Sequence, residues 1–178
     1  SLNRRLAPHT YLGIVPIVER EGQLSFGGRG KVVEWVVKMR RLPEKRMLDQ
    51  LVVRRQVSRS QMRQIGQVLT RFFQEAQHSR TINRYGIPGA VADLLLGNLS
   101  ECQLFIGKLF SEADRAVLES AYRQYLALHE PLLRERVRQG RIIDGHGDLR
   151  CENICLPSGS APVIFDCVEF QPAFRCGD

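Results

Sequence analysis

The sequence predicts an α+β fold in which strands at both ends of the chain flank a helical middle. The segments YLGIVPIVE at 11–19 and VVEWVVKM at 32–39 are rich in β-branched and aromatic residues, which favour strands. After Pro43 the apolar residues recur with the spacing of helices. Short apolar runs return at 153–156 and 163–166. The predicted order is therefore a β segment, an α block and a second β segment.

Both β segments are expected to form antiparallel pairs. The turn-rich sequence GGRG at 27–30 lies between the two amino-terminal strands, so a mobile loop is their simplest connection. The carboxyl-terminal runs NICL and VIFD flank the turn sequence PSGSAP. This arrangement predicts a hairpin near the end of the chain.

The helical middle carries two start signals. Ser58 with Gln61 forms the pattern of a capping box, and Ser111 with Asp114 opens the longest helical segment. That segment should end at Gly140, because glycine readily adopts the backbone conformation that follows a helix. Its predicted inner face comprises Leu118, Ala121, Tyr122, Tyr125, Leu126 and Leu132.

The composition indicates a globular, cytoplasmic protein. Of the 178 residues, 43% are hydrophobic and 25% are charged, and no apolar run is long enough to cross a bilayer. The start SLNRRLAPHT lacks an export signal, so we expect no membrane partner and reduced cysteines. The net charge of +7 suits phosphate-bearing ligands. No nucleic-acid-binding motif accompanies it, so we interpret the basic runs as solvated helix faces and expect no nucleic-acid partner.

A polar cluster, HGDLRCENICLPSGSAPVIFDC at 146–167, surrounds the predicted hairpin. In the simplest symmetric register Asn153 lies directly opposite Asp166. Opposed Cβ atoms in an antiparallel pair are about 4.5–5.5 Å apart, close enough for two side-chain oxygens to hold one Mg²⁺ ion. Asp148, on the loop that enters the hairpin, would then face a substrate hydroxyl.

These three polar groups are what phosphoryl transfer needs, because its catalysis depends on metal ions at the phosphates and on a carboxylate that orients the attacking hydroxyl. The cluster contains His146-Gly147-Asp148 with Asn153, followed by Asp166. This pattern resembles the H-x-D-x-x-x-x-N motif and the Mg²⁺-binding aspartate of the protein-kinase-like superfamily. The glycine after the histidine points to the aminoglycoside phosphotransferase-like branch. The chain looks closest to the bacterial family of aminoglycoside phosphotransferase/ATP-binding proteins in the segments RIIDGHGDLRCENICL and VIFDCVEFQPAFRCGD. The similarity extends to LNRRLAP, YLGIVPI and VVEWVVKMRRLP.

The resemblance implies a kinase that uses ATP and Mg²⁺ to move a γ-phosphoryl group to an alcohol. Asp148 would be the catalytic base, and Asn153 and Asp166 the Mg²⁺ ligands. His146 would brace the loop, and Arg150 would lie near the transferred phosphate, with a solvent-facing arginine as an equal alternative. The expected acceptor is a small hydroxylated molecule, and a protein hydroxyl is the second candidate.

The same resemblance implies a protein-kinase-like fold of two lobes. Residues 1–43 would be the carboxyl-terminal part of the small nucleotide-binding lobe, and 44–178 would be most of a mainly helical catalytic lobe, truncated at its end. The hinge whose backbone meets the adenine would lie between them, at Met39, Arg40, Arg41 and Leu42.

The resemblance also implies that the sequence is a piece of a longer protein. Position 1 is serine rather than methionine, and helices rather than further strands follow Lys38, which excludes it as the phosphate-binding lysine of the fold. The Gly-rich loop, the lysine and its glutamate would lie upstream, and a P-loop ATP-binding domain would lie elsewhere in the parent chain. We therefore expect the isolated chain to bind ATP poorly.

Two other functions stay open. One is a zinc-binding module that uses His146, Cys151, Cys155 and Cys167, although structural zinc sites usually show paired knuckles and Cys151-x₃-Cys155 is a single pair. The other is a catalytically inactive kinase-like fragment.

Overall fold

The computed structural model describes residues 2–178, and within them the chain is mixed α/β. The strands are β1 (Tyr11–Arg20), β2 (Gln23–Phe26), β3 (Lys31–Met39), β4 (Ile143–Asp144), β5 (Ile154–Cys155), β6 (Val163–Ile164) and β7 (Cys176–Gly177). The α-helices are α1 (Leu48–Val53), α2 (Arg59–Glu75), α3 (Arg80–Asn83), α4 (Pro88–Glu101) and α5 (Glu112–Arg138). Short 3₁₀ turns lie at Leu2–Arg5, Glu44–Arg46, Cys102–Phe105, Cys151–Asn153 and Pro172–Phe174. None of the helices within residues 2–178 combines the length and apolarity that a membrane span requires.

β1 and β3 are antiparallel neighbours, which confirms the pairing predicted for the first β segment. Their connection is not a plain loop, because β2 forms a hairpin with β1 and gives the strand order β2-β1-β3. Glu21 and Gly22 join β1 to β2 with φ angles of 54° and 76°. Positive φ at both central residues matches the two-residue turns that suit the twist of a hairpin. The prediction that a loop alone joins β1 to β3 was wrong, because this Glu-Gly turn reverses the chain early and starts β2.

Both predicted helix starts are confirmed. At the start of α2, the Ser58 N–H donates to Gln61 Oε1 at 2.8 Å and the Gln61 N–H donates to Ser58 Oγ at 3.2 Å. At the start of α5, Ser111 and Asp114 exchange the equivalent hydrogen bonds, and the bond from the Ser111 hydroxyl lowers the pKa of the Asp114 carboxyl. Gly140, with φ of 68°, lies just beyond the end of α5.

Contacts divide the chain into two compact units. The first contains the residues up to Phe72 together with Asp148–Glu169, and the second contains Phe73–Gly147 and Phe170–Asp178. The predicted lobe boundary after residue 43 falls inside the first unit, and it stays a prediction.

The core of the first unit joins α1 and α2 to the β5–β6 hairpin. Its buried members are Leu48, Leu51, Ile65, Ile154, Leu156 and Ile164. Fully burying one such side chain contributes about 1.5–3 kcal/mol, so this cluster is the main apolar support of the hairpin.

In the second unit α4 packs against α5. The inner face predicted for α5 was wrong, because α5 contains no buried residue and Leu118, Tyr125 and Leu132 are 44%, 55% and 54% exposed. Periodicity identifies the apolar side of a helix, but it does not say which element covers that side.

Candidate active site

The predicted carboxyl-terminal hairpin is present, but its register differs by one residue from the predicted one. β5 and β6 pair so that Ile154 lies opposite Ile164. The Phe165 backbone N–H donates to the Asn153 carbonyl oxygen at 3.0 Å, which extends the ladder by one position. Asn153 therefore lies opposite Phe165, and the predicted direct pair of Asn153 with Asp166 was wrong.

The turn between the strands sets this register. The connection spans 156–162, an odd number of residues, and its central residue Gly159 has a φ of 70°. Leu156 is also bonded outside the hairpin: its N–H donates to the Arg46 carbonyl at 2.9 Å, and Arg46 Nε donates to the Leu156 carbonyl at 2.7 Å. The symmetric prediction assumed an even turn, and an odd turn shifts the pairing by one residue.

Asn153 and Asp148 are joined directly. Asn153 Nδ2 donates to the Asp148 carbonyl oxygen at 2.9 Å and to Asp148 Oδ2 at 3.0 Å. Asn153 is buried, whereas the Asp148 side chain is 34% exposed. Because both amide hydrogens have acceptors, Oδ1 is the Asn153 atom that remains for a ligand. The structure thus brings together two of the residues that the sequence selected.

Arg150 approaches the other oxygen of the same carboxylate. Its Nε lies 3.1 Å from Asp148 Oδ1, and its side chain is 58% exposed. An ion pair this exposed contributes about 0–1 kcal/mol, so it breaks easily. The guanidinium is therefore able to leave Asp148 without a large loss of stability.

Asp166 follows the end of β6 with an exposed side chain and an unusual backbone. Its φ is 63°, in the left-handed region. Its N–H donates to the hydroxyl oxygen of Tyr11 at 3.0 Å. Burial raises the pKa of Tyr11, the N–H of Asp166 opposes that shift, and the neighbouring negative charges of Asp166 and Glu169 reinforce it.

Asn3 forms hydrogen bonds with Cys167 and Glu169, which follow Asp166 in the chain. Its Oδ1 accepts the Cys167 N–H at 2.8 Å, and its own N–H donates to Glu169 Oε1 at 3.2 Å. Neither Asn3 nor Tyr11 is among the site residues that the sequence predicts. Their contacts to this segment join residues 164 and 155 positions apart, and a one-dimensional pattern carries no signal for such pairs.

His146 lies in the second unit, in the loop after β4, and is 2% exposed. The N–H of Gly145 donates to the Arg175 carbonyl at 3.0 Å. At Gly147 φ is 84°, and a Cβ would lie 2.7 Å from the Phe174 carbonyl oxygen, so this position requires glycine. The burial of His146 favours the predicted bracing role, which stays a prediction.

The predicted adenine-binding segment begins where β3 ends. Met39 is the last residue of β3, and the Arg40 N–H donates to the Thr10 carbonyl at 2.8 Å. The next two residues, Arg41 and Leu42, are outside helices and strands. Adenine binding by Met39, Arg40, Arg41 and Leu42 stays a prediction.

The residues of the zinc alternative differ in exposure. Cys151 is exposed, whereas Cys155 and Cys167 are buried, and His146 belongs to the second unit. Burial raises the pKa of the Cys155 thiol, and the charge of Arg46 opposes the shift. Within residues 2–178, no group of three or more His, Cys, Asp and Glu side chains is arranged to hold a metal ion.

These differences predict selective alkylation of the cysteines by iodoacetamide. Cys151 should react readily at pH 8 in the folded protein. Cys155 should react at least about a hundredfold more slowly, because the thiolate is the nucleophile and a buried, protonated thiol must first be exposed by local unfolding. Peptide mass spectrometry over time measures both rates, and the rates in urea serve as the control. Equal rates in the folded protein would contradict the burial of Cys155.

Comparison with known proteins finds relatives in mycobacteria. An uncharacterized protein of Mycobacterium bovis and uncharacterized proteins of two Mycobacterium tuberculosis strains, CDC 1551 and H37Rv, are each 34% identical to the chain over 175 residues. The aligned region covers 98% of this chain and 33% of each relative, so the chain spans about a third of the length of these proteins. No family model matches the chain, and no solved structure matches it.

Proposed function

We propose that this chain carries the catalytic centre of a phosphotransferase that uses ATP and Mg²⁺ to phosphorylate a hydroxyl of a small molecule. One observation carries the proposal. The amide of Asn153 binds the backbone and the carboxylate of Asp148 on the loop that enters the hairpin. This pairing fixes the position of a partly exposed carboxylate beside an amide oxygen that can ligate a cation.

Two side chains of the proposed site carry oxygens of the kind that a magnesium ion prefers. Mg²⁺ prefers oxygen ligands and commonly uses one or two protein side chains together with water and phosphate oxygens. Asn153 Oδ1 and the exposed carboxylate of Asp166 are oxygens of this kind; Asn153 directly precedes β5, and Asp166 follows β6. A bound Mg²⁺ ion would neutralise charge on the phosphate oxygens.

Asp148 is assigned the role of base. Its carboxylate would accept the proton of the attacking hydroxyl and orient the oxygen toward the phosphorus. The hydrogen bond from Asn153 holds Oδ2, so Oδ1 is the atom that would face the acceptor. Arg150, which contacts Oδ1, would move to the transferred phosphate as the acceptor arrives.

A direct test is a phosphorylation screen with the whole protein that contains this chain. Labelled ATP, Mg²⁺ and a panel of small hydroxyl compounds are incubated with the protein, and chelation of the metal is the control. We expect Mg²⁺-dependent transfer to a small molecule. Labelling of protein hydroxyls instead would show that the acceptor assignment is wrong.

A nucleotide titration tests the division of the ATP site. We propose that the adenine meets Met39, Arg40, Arg41 and Leu42, while the glycine-rich loop and the phosphate-binding lysine belong to other parts of the whole protein. The 178-residue chain should then bind Mg²⁺ and ATP more weakly than micromolar. Micromolar affinity of the isolated chain would show that its own residues complete the site.

The two alternatives predict different outcomes. A catalytically inactive kinase-like fragment would bind nucleotide in the whole protein without transferring phosphate. A zinc module would contain stoichiometric zinc after purification, measured by atomic emission.

A further inference from the structure

We propose that Tyr11 and Asn3 are positioning residues that hold Asp166 in the backbone conformation from which its carboxylate binds the cation. This inference rests on the proposed function, in which Asp166 is a Mg²⁺ ligand. Neither residue touches the reacting groups in this scheme. Each acts on the backbone of the segment 166–169.

The backbone of Asp166 needs external support. A φ of 63° is unfavourable for residues other than glycine, although aspartate tolerates it better than most. Such conformations persist where the surrounding structure holds them, and they concentrate at functional sites. At Asp166 this conformation sets the direction in which the carboxylate leaves the hairpin.

Two consecutive backbone N–H groups find their acceptors in the amino-terminal part of the chain. The Asp166 N–H donates to the Tyr11 hydroxyl at 3.0 Å, and the Cys167 N–H donates to Asn3 Oδ1 at 2.8 Å. Tyr11, Asn3 and Cys167 are each no more than 8% exposed. The Cys167 bond is buried and the Asp166 bond is partly buried, so the loss of Asn3 Oδ1 would leave a buried donor unsatisfied and the loss of the Tyr11 hydroxyl would weaken the hold on a partly buried one.

Both acceptors are themselves held in place. The Asn3 carbonyl accepts the Ala7 N–H at 3.1 Å, which fixes the short turn that carries it. Tyr11 starts β1 and lies opposite Met39 in the β1–β3 register. Tyr11 therefore connects the segment 166–169, which contains the proposed Mg²⁺ ligand Asp166, to the end of β3, where we place the adenine.

A purely structural role for the two residues predicts a different phenotype. Loss of general stability would lower the amount of active enzyme and leave the Mg²⁺ requirement unchanged. Loss of positioning would weaken Mg²⁺ activation while the enzyme stays folded. The free Mg²⁺ concentration that gives half-maximal activity therefore separates the two roles.

The experiment uses the whole protein with Tyr11→Phe, which removes one hydroxyl, and with Asn3→Ala. Tyr125→Phe is the matched control, because Tyr125 is half exposed on α5. With the nucleotide held constant, we expect the free Mg²⁺ concentration at half-maximal activity to rise about three- to tenfold in each variant, as the loss of one hydrogen bond would give. Amide exchange at 166–167 should accelerate in the same variants and not in the control.

Two results would overturn the inference. If the wild-type protein is active and Tyr11→Phe and Asn3→Ala keep the wild-type Mg²⁺ requirement, the positioning role is wrong and the proposed function stands. If the wild-type protein shows no Mg²⁺-dependent transfer, the proposed function fails, and the inference fails with it. In the second case, amide hydrogen exchange at 166–167 still shows whether the two hydrogen bonds hold these residues in place.

Discussion

Asp148→Asn is expected to lower kcat for phosphoryl transfer by about 10²- to 10⁴-fold, the usual contribution of a general base. The substitution keeps the size of the side chain and an oxygen that can accept the hydrogen bond from Asn153 Nδ2, now 3.0 Å from Oδ2. It removes the negative charge and the ability to take a proton. The KM for ATP should change little, because Asp148 is assigned to the acceptor rather than to the nucleotide.

A matched control separates this effect from a general loss of carboxylates. Asp49→Asn changes an aspartate on α1 that accepts a hydrogen bond from Gln50 at 2.8 Å and has no assigned role in the site. Its kcat should stay within about twofold of wild type, because Asp49 is only half-buried and no step of the proposed reaction uses it. Thermal unfolding of both variants confirms that they are folded. If Asp148→Asn retains wild-type kcat, Asp148 is not the base.

Local sequence signals predicted the elements of this fold well. The capping boxes at Ser58 and Ser111 depend on residues three positions apart, so the sequence displays them directly. The pairing of the two long amino-terminal strands also follows from two runs of β-formers separated by a turn-rich stretch. The Glu21-Gly22 turn was missed, because a turn of this kind depends on φ angles that few residue pairs signal clearly.

The part of the site that lies within one short stretch of sequence was also predicted. Asp148 and Asn153 are five residues apart, and their hydrogen bonds lie within one loop. The position of Asp166 relative to Asn153 depends on the hairpin register, which the seven-residue connection with Gly159 at its centre shifted by one. Tyr11 and Asn3 reach the site from more than 150 positions away, and only the folded chain reveals them.

The ion pair between Arg175 and Asp144 gives the largest expected effect on stability. Arg175 Nε lies 2.9 Å from Asp144 Oδ1, Nη2 lies 3.1 Å from Oδ2, and both side chains are 11% exposed. Arg175→Met should lower the free energy of unfolding by about 3–5 kcal/mol, because it removes the guanidinium that compensates the charge of the buried Asp144. Urea unfolding followed by circular dichroism measures the change.

A double-mutant cycle shows whether the pairing itself causes this loss. Adding Asp144→Asn to Arg175→Met removes the buried charge, so the double variant should be more stable than the sum of the two single losses predicts. Arg134→Met is the control, because the Arg134–Glu130 pair on α5 is 67% and 46% exposed. That substitution should cost less than about 1 kcal/mol, as exposed pairs do. Equal losses for Arg175→Met and Arg134→Met would mean that burial does not strengthen the Arg175–Asp144 pair.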